Sequence, residues 1–115
     1  MKQHISNEEI ASLCLELSLL LHAGVGTGDA LALLSEEGDC KALLRGFADA
    51  VDDGTPLSAA MKESGSFPVY VSGLVEVGER TGRTEEALSS LSRYYEDRVR
   101  LSRRVRSALL YPAMM

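Results

Sequence analysis

The stretch GLVEVGERTGRTEEAL, residues 73–88, holds most of the side chains in this sequence that could do chemistry. Glu76 and Glu79 each stand four residues before an arginine, Arg80 and Arg83, the spacing and polarity at which an acid and a base pair on a helix surface. Two readings are open for such a face. Either it is solvated, each pair contributing about 0.2–0.5 kcal/mol, or its carboxylates dock a partner or an ion. Glycines punctuate the same stretch, and each costs a helix interior about 1 kcal/mol relative to alanine. Gly78 and Gly82 fall one turn apart on the side of Val71, Leu74, Val75 and Val77, so they are expected where another helix approaches closely. A second cluster lies near the C-terminus. Arg93, Arg98, Arg100, Arg103, Arg104 and Arg106 precede SALLYPAMM, an arrangement suited to anionic phosphate surfaces.

Other reactive side chains are scattered. Cys14 and Cys40 lie far apart among apolar residues and read as reduced core thiols. His4 and His22 have no second His or Cys at helical spacing. There is no nucleophile–base motif, no phosphate-cradling glycine loop opening from a strand and no metal cluster, so no catalysis is expected. Arg93, Arg100 and Arg104 share a helix face that could meet a nucleic acid. Against this, Glu96 and Asp97 compete for the same arginines, no aromatic is placed to stack on bases, and the rest of the chain is acidic. No nucleic-acid partner is expected.

These groups must be positioned by helices. The 115 residues allow one domain with one core, spanning 1–115. Apolar residues make up 45% and charged residues 25%, a globular balance rather than a disordered one. The net charge of −5 hides an asymmetry, because residues 1–92 carry −9 and residues 93–115 carry +4. Ser6 and Glu9 form a capping box ahead of Ile10, Leu13, Leu17 and Leu20, which predicts a helix over 7–23. Thr27 is expected to cap a second helix over 28–37, stopped by Gly38. Leu43, Leu44, Phe47 and Val51 mark a third over 40–53, and Thr55-Pro56 opens a fourth over 56–64. Phe67-Pro68 restarts the chain into a fifth over 68–81, and a long sixth runs over 85–111 up to Pro112. The expected core includes Leu17, Leu44, Phe47, Leu57, Leu74 and Leu91, with Leu91, Tyr94, Leu101, Val105, Ala108 and Leu109 as the apolar stripe of the last helix.

A weak repeat runs through this layout. GVGTGDAL at 24–31 and GTPLSAAM at 54–61 both pass from a helix-stopping glycine through a cap to a small-plus-large apolar pair, and GRTEEAL at 82–88 does so one residue shorter. The fold class is therefore all-α, a six-helix bundle built from three helical hairpins.

Phe67-Pro68, the Gly78-Glu79-x-Thr81-Gly82 element, LSRYYE and Tyr111-Pro112 occur together and in order, after LSLLLHAGVGTGDAL and DDGTPLSAAM. In this combination the chain resembles the cytoplasmic F domain of the inner-membrane platform protein of bacterial type II secretion and type IV pilus assembly systems. The resemblance implies a non-catalytic scaffold at the cytoplasmic face of the inner membrane. It would dock the assembly ATPase and other cytoplasmic and inner-membrane assembly components, with a homodimer as one possible arrangement. It also singles out Glu76, Gly78, Glu79 and Gly82 as motif residues. Glu79 with Asp29 would be the oxygen donors of a calcium site, the one cofactor it suggests.

The C-terminus carries the same reading independently, since basic residues accumulate on the cytoplasmic side of a membrane entry. Arg100, Arg103, Arg104 and Arg106 are then membrane-proximal, Tyr111 sits at headgroup level and Pro112 marks a kink. Met1 and Met115 are expected to be cut points in a longer protein, with the chain ending at the start of a first transmembrane helix. The competing reading is a free-standing helical adaptor or regulatory protein that never meets a membrane. The residues do not distinguish secretion, pilus assembly or DNA uptake as the parent system.

Overall fold

The computed structural model describes the backbone of residues 5–37 and 40–114, and side chains as far as 104. Among the described residues there are six α-helices and no strand: α1 Asn7–His22, α2 Thr27–Leu34, α3 Lys41–Asp52, α4 Leu57–Ser64, α5 Val69–Thr81 and α6 Thr84–Met114. The capping box forms at the start of α1, where the Glu9 N–H donates to Ser6 Oγ at 3.1 Å and the Ser6 N–H to Glu9 Oε1 at 3.2 Å.

Several boundaries differ from those expected, each for a local reason. Gly26 and Pro56, in extended geometry, take the cap positions of α2 and α4 and leave Thr27 and Leu57 as first helical residues. Thr27 therefore does not cap. α2 ends at Leu34 because the chain tightens there, with the Glu36 and Glu37 N–H groups donating to the carbonyls three residues back. Gly38, the expected stop, lies outside the described residues, as does His4. α6 continues through Pro112, whose missing N–H removes one backbone bond without ending the helix.

The three turns inside the hairpins share one device. Gly24, Gly54 and Gly82 have φ of 92°, 95° and 72°, the left-handed region that side chains with a Cβ avoid. Beyond each, an N–H reaches back five residues to a helix carbonyl: Val25 to Leu20 at 3.0 Å, Thr55 to Ala50 at 2.9 Å and Arg83 to Gly78 at 2.7 Å. Ala30-Leu31, Ala60-Met61 and Ala87-Leu88 then supply the same buried small-plus-large pair in all three hairpins. The repeat seen in the sequence is thus a repeat in structure.

The hairpins close into a ring. α1 packs on α2, α2 on α3, α3 on α4, α4 on α5, α5 on α6, and α6 returns to α1 in the most extensive of these contacts. Every helix contributes to the centre: Ile10 and Leu17, Leu31, Leu44 and Phe47, Leu57 and Met61, Val71 and Val75, Leu88 and Leu91. Cys14 is buried with them and burial pushes its thiol pKa up to about 12, so it acts as a small apolar side chain. Two expectations for the core are corrected. Leu74 is only half-buried, because α5 turns Val71, Val75 and Gly78 inward. On α6 the inward stripe is Leu88, Leu91 and Tyr95: Leu91 is buried as expected, but Tyr95 turns inward in place of Tyr94, leaving Tyr94 and Leu101 exposed. The side chains of Val105, Ala108 and Leu109 lie outside the described ones.

Gly78 is where α5 and α6 come closest. A Cβ there would stand 2.9 Å from Ala87 Cβ, 3.0 Å from the Arg83 carbonyl oxygen and 3.1 Å from Thr84 Cα, and two of these three atoms are backbone. Gly82 has open space around it and serves the turn, not the crossing. Gly78→Leu should therefore cost about 1–3 kcal/mol by overpacking. Gly78→Ala should also destabilise, despite its gain of up to about 1 kcal/mol in helix propensity. Urea unfolding of the two variants measures both, and an unchanged midpoint for Gly78→Leu would place the glycine away from the crossing.

Candidate functional site

The motif residues gather where the end of α5 meets the start of α4 and the start of α6. Helical spacing puts Glu76, Glu79 and Arg80 on the outer part of α5, but the neighbours decide what each one does. Glu76 pairs as expected with Arg80, whose Nη2 donates to Oε2 at 2.9 Å, and it also takes the Lys62 ammonium of α4 on Oε1. The hydrogen bond and charge of Lys62, then the charge of Arg80, hold the Glu76 carboxyl below the usual carboxylate range. The Lys62 contact joins α4 to α5 and could not be read from spacing within one helix.

Glu79 does not pair with Arg83. α5 ends at Thr81, Gly82 turns the chain, and Arg83 leaves the helical register and sits 3.8 Å from Glu86. Glu79 instead accepts from the buried Ser58, its hydroxyl at 2.5 Å and its backbone N–H at 3.4 Å. Ser58 is the second residue of α4, whose cap residue, Pro56, offers no side-chain oxygen. The carboxylate thus takes the place of a side-chain cap, supplied by the next helix, and its charge complements the positive end of the helix dipole.

The same position recurs around the ring. At the second residue of α2, Gly28, the space a Cβ would take is occupied by Asp52 Oδ1 from the end of α3. At the second residue of α6, Glu85 meets His22 Nδ1 from the end of α1 at 2.7 Å. Each even-numbered helix therefore starts against a polar side chain near the end of the odd-numbered helix that packs on it. Sequence reasoning missed all three contacts. The equal distances of Gly28 and Ser58 from Gly24 and Gly54 were the signal available.

The structure does not bring Asp29 to Glu79. Asp29 is exposed in the first turn of α2, which packs on α1 and α3, whereas α5 packs on α4 and α6. No group of three or more His, Cys, Asp or Glu side chains converges among the described residues. Cys40 is half-buried and donates to Glu9 Oε2 at 3.2 Å, which with the Ser6 hydrogen bonds holds the Glu9 carboxyl low.

The arginines line the far part of α6. Arg100 pairs with Asp97 at 3.0 Å and lies 3.9 Å from Glu96, and Arg103 reaches Glu8 of α1 at 3.6 Å. Arg104 is exposed. The side chains of Arg106, Tyr111 and Pro112 lie outside the described ones. No helix among the described residues is long and apolar enough to cross a membrane.

If Glu79 caps α4 from outside, Glu79→Ala and Ser58→Ala should each lower stability by about 0.5–2 kcal/mol. The double variant should cost less than their sum, because both remove one contact. A double-mutant cycle by urea unfolding checks this, and strict additivity would refute the contact.

The sequence from 13 to 115 matches the family model of type II secretion system protein F. A protein transport protein HofC homolog of Escherichia coli K12 is 32% identical over 112 residues, covering 94% of this chain and 28% of its own length. The type IV pilus assembly protein TapC of Aeromonas hydrophila is 29% identical over 111 residues, 93% of this chain and 27% of its own. The type II secretion system protein F of Xanthomonas campestris is 29% identical over 118 residues, 99% of this chain and 29% of its own. The chain spans little more than a quarter of the length of these relatives. Its match over residues 13–115 places the chain in the type II secretion system protein F family.

Proposed function

We propose that this domain is a non-catalytic scaffold of an inner-membrane platform, set against the cytoplasmic face of the bilayer and docking the assembly ATPase and other assembly components. Family membership supports the platform role. The single observation that supports the membrane-apposed placement is the course of α6. Its 31 residues run about 46 Å at 1.5 Å per residue, and Arg103, bonded to Glu8 in the second residue of α1, stands level with the end of the bundle. The helix goes on for eleven residues past it, about 16 Å. Arginines crowd the point of exit: Arg100 just before it, Arg103 at it, and Arg104 and Arg106 just beyond.

An anionic leaflet attracts such a segment by about 1 kcal/mol per arginine near the surface, screened by salt over a Debye length of about 10 Å at 0.1 M. In the parent protein this end of α6 would face the bilayer. In the isolated domain it is available to a second protomer. The cations gathered where the last helix leaves the bundle favour this reading over a free-standing adaptor.

The domain should therefore bind anionic vesicles at low salt and release them as salt rises. Replacing Arg100, Arg103, Arg104 and Arg106 with Gln should abolish that binding with helix content unchanged by circular dichroism. Wild-type domain that ignores anionic vesicles at low salt, or a Gln variant that unfolds, would make these arginines internal partners of the bundle and end the membrane-apposed reading. For the ATPase, a photocrosslinker placed at exposed Arg45, Leu33 or Tyr70 of the parent protein in cells should yield a covalent product with it. No such product from any exposed helix would remove that partner.

A further inference from the structure

The α5/α6 side of the ring carries an apolar surface that the placement against a membrane does not use. Val69 is 85% exposed, Val77 55%, Tyr70 51% and Tyr94 41%. Val77 lines a groove between the two helices, and Tyr70 and Tyr94 lie one turn beyond its lining residues Leu74 and Ser90 on the same helix faces. Tyr70 and Tyr94 meet across the two helices with tilted rings, their centroids 5.0 Å apart, and the groove runs past Leu74 and Val77 over a floor of Gly78 and Ala87 to Arg83 and Glu86. The close crossing at Gly78 keeps that floor shallow and free of large side chains.

The charges on its rim are unbalanced. Arg98 lies over the Tyr94 ring at 5.5 Å and donates to its hydroxyl at 3.2 Å, with no carboxylate partner among the described residues. Arg93, three residues on from the groove residue Ser90, likewise has no ion pair among the described residues. The rim carboxylates face other arginines, Glu86 at 3.8 Å from Arg83 within the groove and Asp97 at 3.0 Å from Arg100. The groove on the other side of α6, beside Leu15, differs: its cations Arg100 and Arg103 are both paired within the chain. In a molecule whose first 92 residues carry −9, the α5/α6 groove joins exposed aliphatic and aromatic groups to arginines that have no carboxylate partner among the described residues.

We propose that this groove docks an amphipathic helix from another protein, its apolar ridge seated on Val77, Tyr70 and Tyr94 and its acidic flank on Arg93 and Arg98. Apolar residues at i, i+4 and i+7 of the incoming helix match a groove formed between two helices. The arginines add orientation and association rate through charge complementarity. The inference does not rest on the membrane-apposed reading, since both partners meet in solution.

The test is a selection against the folded domain at low salt. The library holds helical peptides of about five turns, with leucines fixed at i, i+4 and i+7 and flanks randomised, and Val77→Glu domain serves as counter-selection. Enriched peptides should carry Asp and Glu beside the leucine ridge. A synthesised representative should lose roughly tenfold in affinity against the Arg93→Gln, Arg98→Gln variant, and should shift the backbone amide resonances of Tyr70, Val77 and Tyr94. Val77→Ser, a milder change at an exposed position, should weaken binding while circular dichroism stays unchanged. Enrichment of basic or neutral flanks, indifference to the arginine pair, or resonance shifts mapped elsewhere would overturn the proposal. So would self-association of the domain through this face that excludes all peptides, since the occupant would then be a second copy.

Discussion

Everything in this molecule depends on α6 lying along α1. The other five seams join helices consecutive in the chain, and short connections bring those together at small entropic cost. The α1–α6 seam alone joins the two ends. It buries Leu88, Leu91 and Tyr95 against the ring, and the His22–Glu85 and Glu8–Arg103 contacts stand at its two ends. Both contacts are solvent-exposed and contribute at most about 1 kcal/mol each. Apolar burial closes the ring, and the charges set the register in which it closes.

Much of this was legible in the sequence, and the reasons differ element by element. Gly54-Thr55-Pro56 and Gly82 betray their turns because few residue types tolerate a left-handed position or a fixed φ. The Ser6–Glu9 box marks the start of α1 for a similarly local reason. Periodicity found six helices. On α6 it finds Leu91 but takes Tyr94 for the inward tyrosine, because Tyr94 and Tyr95 are equally apolar in pattern and only packing shows that Tyr95 goes in and Tyr94 stays out. The end of α2 was missed since nothing in LLSEEG distinguishes one more helical turn from a tightened one.

The candidate site was less legible, for a physical reason. Glu79 was assigned to Arg83 by helical spacing, yet the left-handed Gly82 between them takes Arg83 out of the register on which that spacing depends. Its actual partner, Ser58, is twenty-one residues away and becomes a neighbour only after α4 packs on α5. The glycines divide likewise. Gly78 is constrained by what lies beside it and Gly82 by its own backbone, a distinction that sequence position alone does not draw.

Closure by the last helix also bears on how the chain is made. α1 leaves the ribosome first, but its most extensive partner begins roughly sixty residues later, an interval of about 3–12 s at 5–20 residues per second. Through that interval Ile10, Cys14 and Leu17 lack the cover that α6 gives them in the finished domain. The nascent chain is thus a row of hairpins with an unsealed first edge, a surface that a holding chaperone could shield, and the domain becomes a closed body only as α6 emerges.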